Sequence, residues 1–161
     1  MKTQIASLLL LLATCVGCGP LEQDGVKASR PVQLRPLSPF TQYFDVQTTG
    51  KGRNTYYYVE PPSHIDAAFR HRLRSAVEAA EKTEGNQYIS LHSIYVYRAT
   101  SDIGKQFTGS ADILRGQHAK QLLSFARWSG EQLDIFYIID DGAVVFDLLE
   151  DKPVSPSWEF K

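Results

Sequence analysis

The segment between residues 100 and 121 holds the side chains whose types and spacing come closest to a reactive site. Ser110, Asp112 and His118 supply the hydroxyl, carboxylate and imidazole of a serine-hydrolase triad. Arg115 lies one helical turn after Asp112, a spacing that suits an ion pair. Residues 108–112 read TGSAD, which lacks the G-x-S-x-G setting of a nucleophile elbow. We therefore interpret Ser110 as a helix cap and expect ligand or partner contacts from these four residues rather than catalysis.

The four histidines do not form a pattern typical of metal or cofactor binding. His64, His71, His92 and His118 match neither the H-E-x-x-H helix nor a site with paired cysteines. The glycine-rich stretch 50–54 carries two basic residues, but it neither leads into a helix nor matches a phosphate-binding loop. We interpret this stretch as a turn between two strands, and His92 as a hydrogen-bonded packing residue of a third strand. Neither a metal nor a cofactor is expected.

Residues 1–17 have the composition of a secretory signal peptide. Lys2 precedes an uncharged apolar run, and small residues precede Cys18. The apolar run is too short to span a membrane as a helix. Both cysteines of the chain, Cys15 and Cys18, lie at the end of this segment. The residues that follow therefore contain no thiol for a disulfide, a metal site or a nucleophile.

Residues 15–18 (CVGC) resemble the lipobox of bacterial lipoproteins. The resemblance implies cleavage before Cys18, acylation of its amino group with a chain such as palmitate, and a thioether link to diacylglycerol, which together anchor the chain in a membrane. Because Gly19 rather than Asp follows the cysteine, the resemblance implies an outer-membrane anchor facing the periplasm in a Gram-negative cell. Two alternatives stay open: lipidation at Cys15 in the frame 12–15, and an ordinary signal peptide.

Composition divides the remaining chain into a tether and one domain. Residues 18–39 contain half of the eight prolines and no aromatic residue, so we interpret them as a spacer between membrane and domain. Residues 40–161 are long enough for a single globular domain with its own core. The net charge of -1 provides no general attraction to nucleic acid. We interpret the basic run 70–74, together with Glu78 and Glu81, as a solvated helix face.

The fold prediction starts from residues 122–149, which read as three antiparallel strands joined by two tight turns. Asp141-Gly142 suits a type I′ turn, and Gly130-Glu131 suits a type II′ turn. These turns fix the register of the strands. The cross-strand pairs that follow are Asp140–Ala143, Ile139–Val144, Tyr137–Phe146, Ile135–Leu148, Trp128–Leu133, Arg127–Asp134, Phe125–Phe136 and Leu123–Ile138. Since both sides of this ribbon are apolar, we expect protein to cover the second side, with Trp158 and Phe160 as candidates.

The residues before the ribbon predict three more strands and one helix. Strands are expected at 41–48, 55–60 and 88–98. The helix is expected at 63–84, with Ser63 as its N-cap, Asp66 completing a capping box and Gly85-Asn86 after its end. The expected class is α+β, with one long helix packed on a five- to six-stranded antiparallel sheet that ends in a three-stranded meander.

These observations predict a lipid-anchored cell-envelope protein with a non-catalytic binding or interaction role. It is expected to contact the membrane through its acyl anchor and another envelope protein or component through its domain, with no nucleic acid. The alternative is a small-ligand-binding protein or hydrolase that uses the concave sheet face, with residues 100–121 as a lid or binding loop. A pocket lined by tyrosines, into which Asp112 and His118 converge, would favour the alternative.

Overall fold

The computed structural model of the chain describes residues 30–46, 50–84 and 89–155. The predicted signal peptide, both cysteines and most of the predicted tether lie outside these ranges, as do Trp158 and Phe160. The described strands are β1 (Arg35–Val46), β2 (Gly50–Val59), β3 (Ile89–Arg98), β4 (Leu122–Ser129), β5 (Gln132–Asp140), β6 (Ala143–Asp147) and β7 (Lys152–Pro153). The helices are α1 (Ala67–Glu84) and the short α2 (Ala111–Gly116), which a 3₁₀ turn (Ala119–Gln121) follows. In this part of the chain no helix is both long and apolar enough to cross a membrane.

The strands form one sheet in which the spatial order is the chain order, from β1 to β7. Neighbouring strands are antiparallel except β2 and β3, which run parallel because α1 carries the chain back to the starting end of the sheet. The α+β class with one main helix is confirmed. The expectation of a wholly antiparallel sheet of five or six strands is wrong, since the described residues form seven strands, one pair of them parallel.

Strands β1 and β2 both begin earlier than the sequence pattern indicates. Residues 35–39, assigned to the tether, belong to β1, where Arg35 lies opposite Tyr58. Residues 50–54, predicted to be a turn, are the first half of β2. The glycine at Gly52 is explained by packing, because a Cβ there would lie 2.2 Å from the ring of Phe44 on the neighbouring strand.

The cap of helix α1 lies three residues later than predicted, and the helix begins at Ala67. Its cap is Asp66 and not Ser63: the Asp66 carboxylate accepts a hydrogen bond from the backbone N–H of Phe69 at 2.6 Å. A carboxylate in this position satisfies a free N–H of the first turn and interacts favourably with the helix dipole. The helix runs to Glu84, the last residue described before the gap at 85–88, so its predicted end at Gly85-Asn86 lies outside the described residues.

Both faces of the sheet are covered by protein, and each has its own core. On the first face, α1 packs Phe69, Leu73 and Val77 against strand residues that include Trp128. On the second face, residues 100–121 cover the sheet. They contribute Ile103, Phe107, Ala111 and Leu114 to a core that also contains Leu37, Tyr56, Tyr58, Tyr97, Leu122, Phe125, Ile139 and Val144. The predicted cover of the second side therefore comes, among the described residues, from the long connection between β3 and β4.

The two tight turns of the meander are confirmed. Asp141 and Gly142 have φ values of 47° and 84°, as a type I′ turn requires, and Gly130 has a φ of 59°. The pairs next to the turns also agree with the prediction. These pairs are Asp140–Ala143, Ile139–Val144 and Trp128–Leu133.

Further from the turns the predicted register is wrong by one residue. Arg127 lies opposite Ile135 instead of Asp134. The other observed pairs are Phe125–Tyr137, Ser124–Ile138, Ile138–Phe146 and Tyr137–Asp147. The cause is a register shift in each hairpin, where one strand holds an extra residue. As a result Phe136 and Ile138 face α1, whereas Tyr137 and Ile139 join the second core.

Candidate functional site

A partly enclosed pocket of about 330 Å³ lies between the second face of the sheet and the segment 100–121. Its walls come from β3, β4 and β5, from α2 and from the 3₁₀ turn. The lining residues are Tyr95, Tyr97, Arg115, Ala119, Leu122, Ile139 and Gly142. Most of this surface is apolar, and one guanidinium lies at its wall. The volume is at the lower end of the range for small-ligand sites.

The tyrosines of this region are held in place by stacking. Tyr95 stacks on Tyr56 of the neighbouring strand, with 5.0 Å between ring centroids and 16° between planes. On its other side Tyr95 contacts Phe125 at 5.0 Å in a tilted arrangement. The Tyr56 hydroxyl donates a hydrogen bond to Gln42 Oε1 at 3.3 Å. The wall of the pocket is therefore rigid, which favours binding without a large ordering cost.

Burial keeps the tyrosine hydroxyl groups protonated. Desolvation raises the pKa of Tyr56 to about 12, although Arg115 opposes part of the effect. Desolvation also raises the pKa of Tyr95 and of Tyr97, again partly offset by Arg115. These hydroxyl groups thus remain neutral hydrogen-bond donors around a permanent positive charge.

Arg115 is positioned by α2, as its spacing from Asp112 predicts. Ser110 caps this helix by accepting a hydrogen bond from the Ile113 N–H at 3.4 Å. One turn later, Arg115 Nη2 donates to Asp112 Oδ1 at 2.7 Å. This hydrogen bond raises the pKa of the Arg115 guanidinium. Ser110, Asp112 and Arg115 therefore form one unit in which the serine and the carboxylate orient the helix and its arginine.

His118 does not join that unit through the contacts observed. Its ring packs edge-on against Phe107, with 6.1 Å between centroids. Among the four predicted site residues, the structure thus brings Asp112 and Arg115 into contact and uses Ser110 as a cap. Arg115 lines the tyrosine pocket, while Asp112 and His118 are not among its lining residues. The convergence of Asp112 and His118 in a pocket, which would have favoured a hydrolase, is not observed.

A second polar cluster lies on the opposite face of the sheet, beneath α1. His92 Nδ1 lies 2.5 Å from Glu81 Oε2, and His92 Nε2 lies 3.2 Å from Thr55 Oγ1. Arg53 Nη2 lies 3.8 Å from the same Glu81 oxygen. The His92 ring also stacks on Trp128, with 5.9 Å between centroids. The order carboxylate, imidazole, hydroxyl is that of a catalytic triad.

Burial distinguishes this cluster from an active site. The exposed fractions of Thr55, His92, Arg53 and Glu81 are 0%, 1%, 4% and 5%. None of these four side chains lines the tyrosine pocket or the two crevices that lie between residues 30–35 and α1. The cluster therefore links α1 to the sheet, which agrees with the predicted packing role of His92. Glu81, which was predicted to face solvent, is buried because it follows Val77 by four residues on the apolar stripe.

The arginines of the basic run 70–74 on α1 mostly contact other residues of the domain. Arg74 pairs with Glu78 at 2.8 Å, and its Nη1 donates to the Leu148 carbonyl. The Arg70 guanidinium lies 4.0 Å from the centroid of the Phe146 ring. Arg72 lines a crevice of about 600 Å³ between residues 30–35 and the start of α1, whose walls carry both signs of charge. This crevice is larger than the tyrosine pocket but less enclosed.

Sequence reasoning missed the residues that form most of the pocket. Tyr95 and Tyr97 were correctly placed on one side of their strand, and Tyr56 and Tyr58 on one side of theirs, yet nothing indicated that these sides coincide. Their alternation at every second position was the available signal. No group of three or more histidine, cysteine or carboxylate side chains in the described ranges suits a metal ion. Comparison with known protein families, curated proteins and solved structures finds no match, so the pocket is interpreted from its own geometry.

Proposed function

We propose that this protein is a lipid-anchored protein of the cell envelope that binds a small ligand without catalysis. The observation that carries the proposal is the partly enclosed pocket of about 330 Å³ between the sheet and residues 100–121. It combines rigid aromatic and apolar walls with a single arginine, the composition typical of a binding site. The membrane would be reached through an acyl group on Cys18, and the tether would place the domain in the periplasm of a Gram-negative cell.

The non-catalytic part of the proposal rests on the roles that Ser110, Asp112 and His118 have. The serine is a helix cap, the carboxylate pairs with Arg115, and the imidazole packs on Phe107. Each residue is thus used for positioning. A ligand in the pocket would meet the Arg115 guanidinium and tyrosine hydroxyl groups, which recognise and orient.

The anchor is tested by comparing two cysteine variants in bacteria fed labelled palmitate. Cys18→Ser should abolish labelling and move the protein out of the membrane fraction, because the acylated residue is lost. Cys15→Ser is the matched control and should keep both properties. Labelling that disappears only with Cys15→Ser would assign the anchor to the other frame, and unlabelled native protein would overturn the anchor.

Ligand binding is tested with the mature protein and a fragment library, read out by thermal shift and by NMR. Fragments that bind should shift signals of Tyr95 and Tyr97. The variant Ala119→Phe should abolish these shifts, because it fills the pocket from an exposed position on the 3₁₀ turn. Lys105→Phe adds an equal ring at an exposed position elsewhere on segment 100–121 and should leave binding unchanged. A library without any pocket-directed hit would contradict the proposal.

A second candidate function, docking of another envelope protein, is favoured by one observation. Tyr43 is 63% exposed and lies on the edge strand β1. Exposed edge strands can pair with a strand of another chain. Crosslinking in the membrane should then recover a partner that Tyr43→Asp releases, whereas Lys105→Asp, at an exposed position on segment 100–121, should keep it.

A further inference from the structure

We propose that the ligand of the tyrosine pocket is a small organic acid whose carboxylate pairs with Arg115 and whose apolar body lies between Tyr95, Tyr97 and Leu122. This inference rests on the proposed function and names the ligand class for the same site. It follows from where the one charge of the pocket lies and from how that charge is held.

Arg115 lies at the junction of two recesses. It lines the tyrosine pocket, and it also lines a shallower recess with Gln42, Phe44 and Asn54. A group that enters either recess therefore meets this guanidinium. A carboxylate matches the planar fork of a guanidinium with two parallel hydrogen bonds, which a neutral amide or alcohol cannot do.

Arg115 hydrogen-bonds to Asp112 and to the Tyr95 hydroxyl, and its pairing with Asp112 can be exchanged at little cost. The Asp112 side chain is 83% exposed and that of Arg115 is 41% exposed. Such exposed pairs contribute little to stability, because water screens both charges. A ligand carboxylate in the pocket loses part of its hydration, and the guanidinium together with hydrogen bonds from the Tyr95 and Tyr97 hydroxyl groups offsets that cost. Asp112 therefore acts as a placeholder for the ligand anion.

The rest of the pocket fits the remainder of such an acid. The Tyr95 and Tyr97 hydroxyl groups stay protonated, so they can donate to the carboxylate without repelling it. Leu122 and Ile139 are buried and apolar, and they offer no partner to a second polar group. The complementary molecule therefore has one anionic end and one apolar or aromatic end.

The test uses two molecules of nearly equal shape, 3-phenylpropionate and 3-phenylpropionamide, with the mature protein at neutral pH. The acid should bind at least about tenfold more tightly than the amide, as judged by calorimetry and NMR shifts of the pocket residues. Added salt should weaken the binding of the acid and leave the binding of the amide unchanged. Equal affinity for acid and amide would overturn the ligand class.

Two variants on α2 should move the affinity in opposite directions. Arg115→Gln should abolish the preference for the acid over the amide. Asp112→Asn should increase the affinity for the acid several-fold, because it releases the guanidinium. Arg74→Gln is the matched control, since Arg74 is equally exposed, at 40%, and pairs with an acidic residue on a helix. A structural role for the Arg115–Asp112 pair would instead weaken binding in both α2 variants and would overturn the placeholder.

The two levels of the proposal fail in different ways. If other fragments occupy the pocket while 3-phenylpropionate does not, the ligand class is wrong and the binding function stands. If neither 3-phenylpropionate nor any library fragment occupies the pocket, both are wrong. If the acid binds and Ala119→Phe does not weaken it, the acid occupies another site and the inference fails.

Discussion

Two glutamates on α1 show how much burial changes what an ion pair does. Glu78 pairs with Arg74 at the surface, where both side chains are more than a third exposed. Glu81 lies one turn later and is only 5% exposed, next to His92 and Arg53. Removal of a buried charge that neighbours another charge is far more destabilising than removal of an exposed one.

The difference predicts the cost of two equivalent substitutions. Glu81→Gln should lower the free energy of unfolding by about 3 kcal/mol, because Arg53 and His92 lose a buried negative charge. Glu78→Gln, the control, should cost less than about 1 kcal/mol. Urea unfolding of the mature protein measures both values. Equal costs would show that the cluster beneath α1 contributes no more than a surface pair.

At the residue scale the sequence predicts roles better than partners. The cap at Ser110, the pairing of Asp112 with Arg115 and the packing role of His92 follow from local spacing, and the structure agrees. The partners of His92 come from β2 and α1, which are distant in the chain. Glu81 was assigned to the outer helix surface together with Glu78, although its spacing of four residues from Val77 places it on the apolar stripe.

Among the elements, the segment 100–121 has a structural role that the sequence did not predict. It was interpreted as a lid or binding loop, yet four of its apolar side chains belong to the second core. Local contacts also fix its path, since the Ile103 N–H donates to the Thr100 hydroxyl at 3.0 Å. Its length indicated a lid or binding loop and left its degree of order open, and its buried residues make it part of the folded body.

Substitution of one core residue in this segment should therefore destabilise the entire domain. Ile103 is fully buried, so Ile103→Ala should cost about 2 to 5 kcal/mol. Ile113→Ala, at a partly buried position of the same segment, should cost about half of that or less. The measurement is circular dichroism during urea unfolding, which follows the loss of the sheet. If the segment were a separate lid, Ile103→Ala would leave the midpoint of that transition unchanged.

The extra residue in each hairpin of the meander is a β-bulge, and it explains why the strands were predicted better than their pairing register. The turn at Asp141-Gly142 is local chemistry, and it was predicted correctly. A bulge depends on how two faces pack, and here both faces are apolar, so either register buries apolar side chains. The parallel pairing of β2 with β3 was missed because the strand pattern does not reveal direction.

At the scale of the whole molecule, the buried tyrosines link stability to pH. In the folded state Tyr56 keeps its proton until a pKa of about 12. In the unfolded chain a tyrosine loses its proton near pH 10. Between these values the unfolded state binds fewer protons, so the free energy of unfolding decreases as the pH rises.

The domain should accordingly lose stability between about pH 10 and 12, by on the order of 2 kcal/mol for Tyr56 alone. Tyr56→Phe should flatten the pH dependence across this interval, because phenylalanine has no proton to lose. Tyr43→Phe, at an exposed ring, should leave the wild-type slope unchanged. Denaturant unfolding at a series of alkaline pH values measures the slopes, and identical slopes for Tyr56→Phe and wild type would refute the linkage.

The agreement between chain order and strand order has a consequence for how the domain assembles. Each strand pairs with the strand that precedes it in the chain. When the chain is synthesised from its N-terminus, the partner of each new strand has therefore already been made. The β4–β5 and β5–β6 connections close through two-residue turns, which is fast. The β2–β3 and β3–β4 connections span residues 60–88 and 99–121, and the loop entropy of both makes these two pairings slower to form than the hairpins. The strands of such a chain become available for pairing in the order of their synthesis, and the two hairpins need the least chain to be in place.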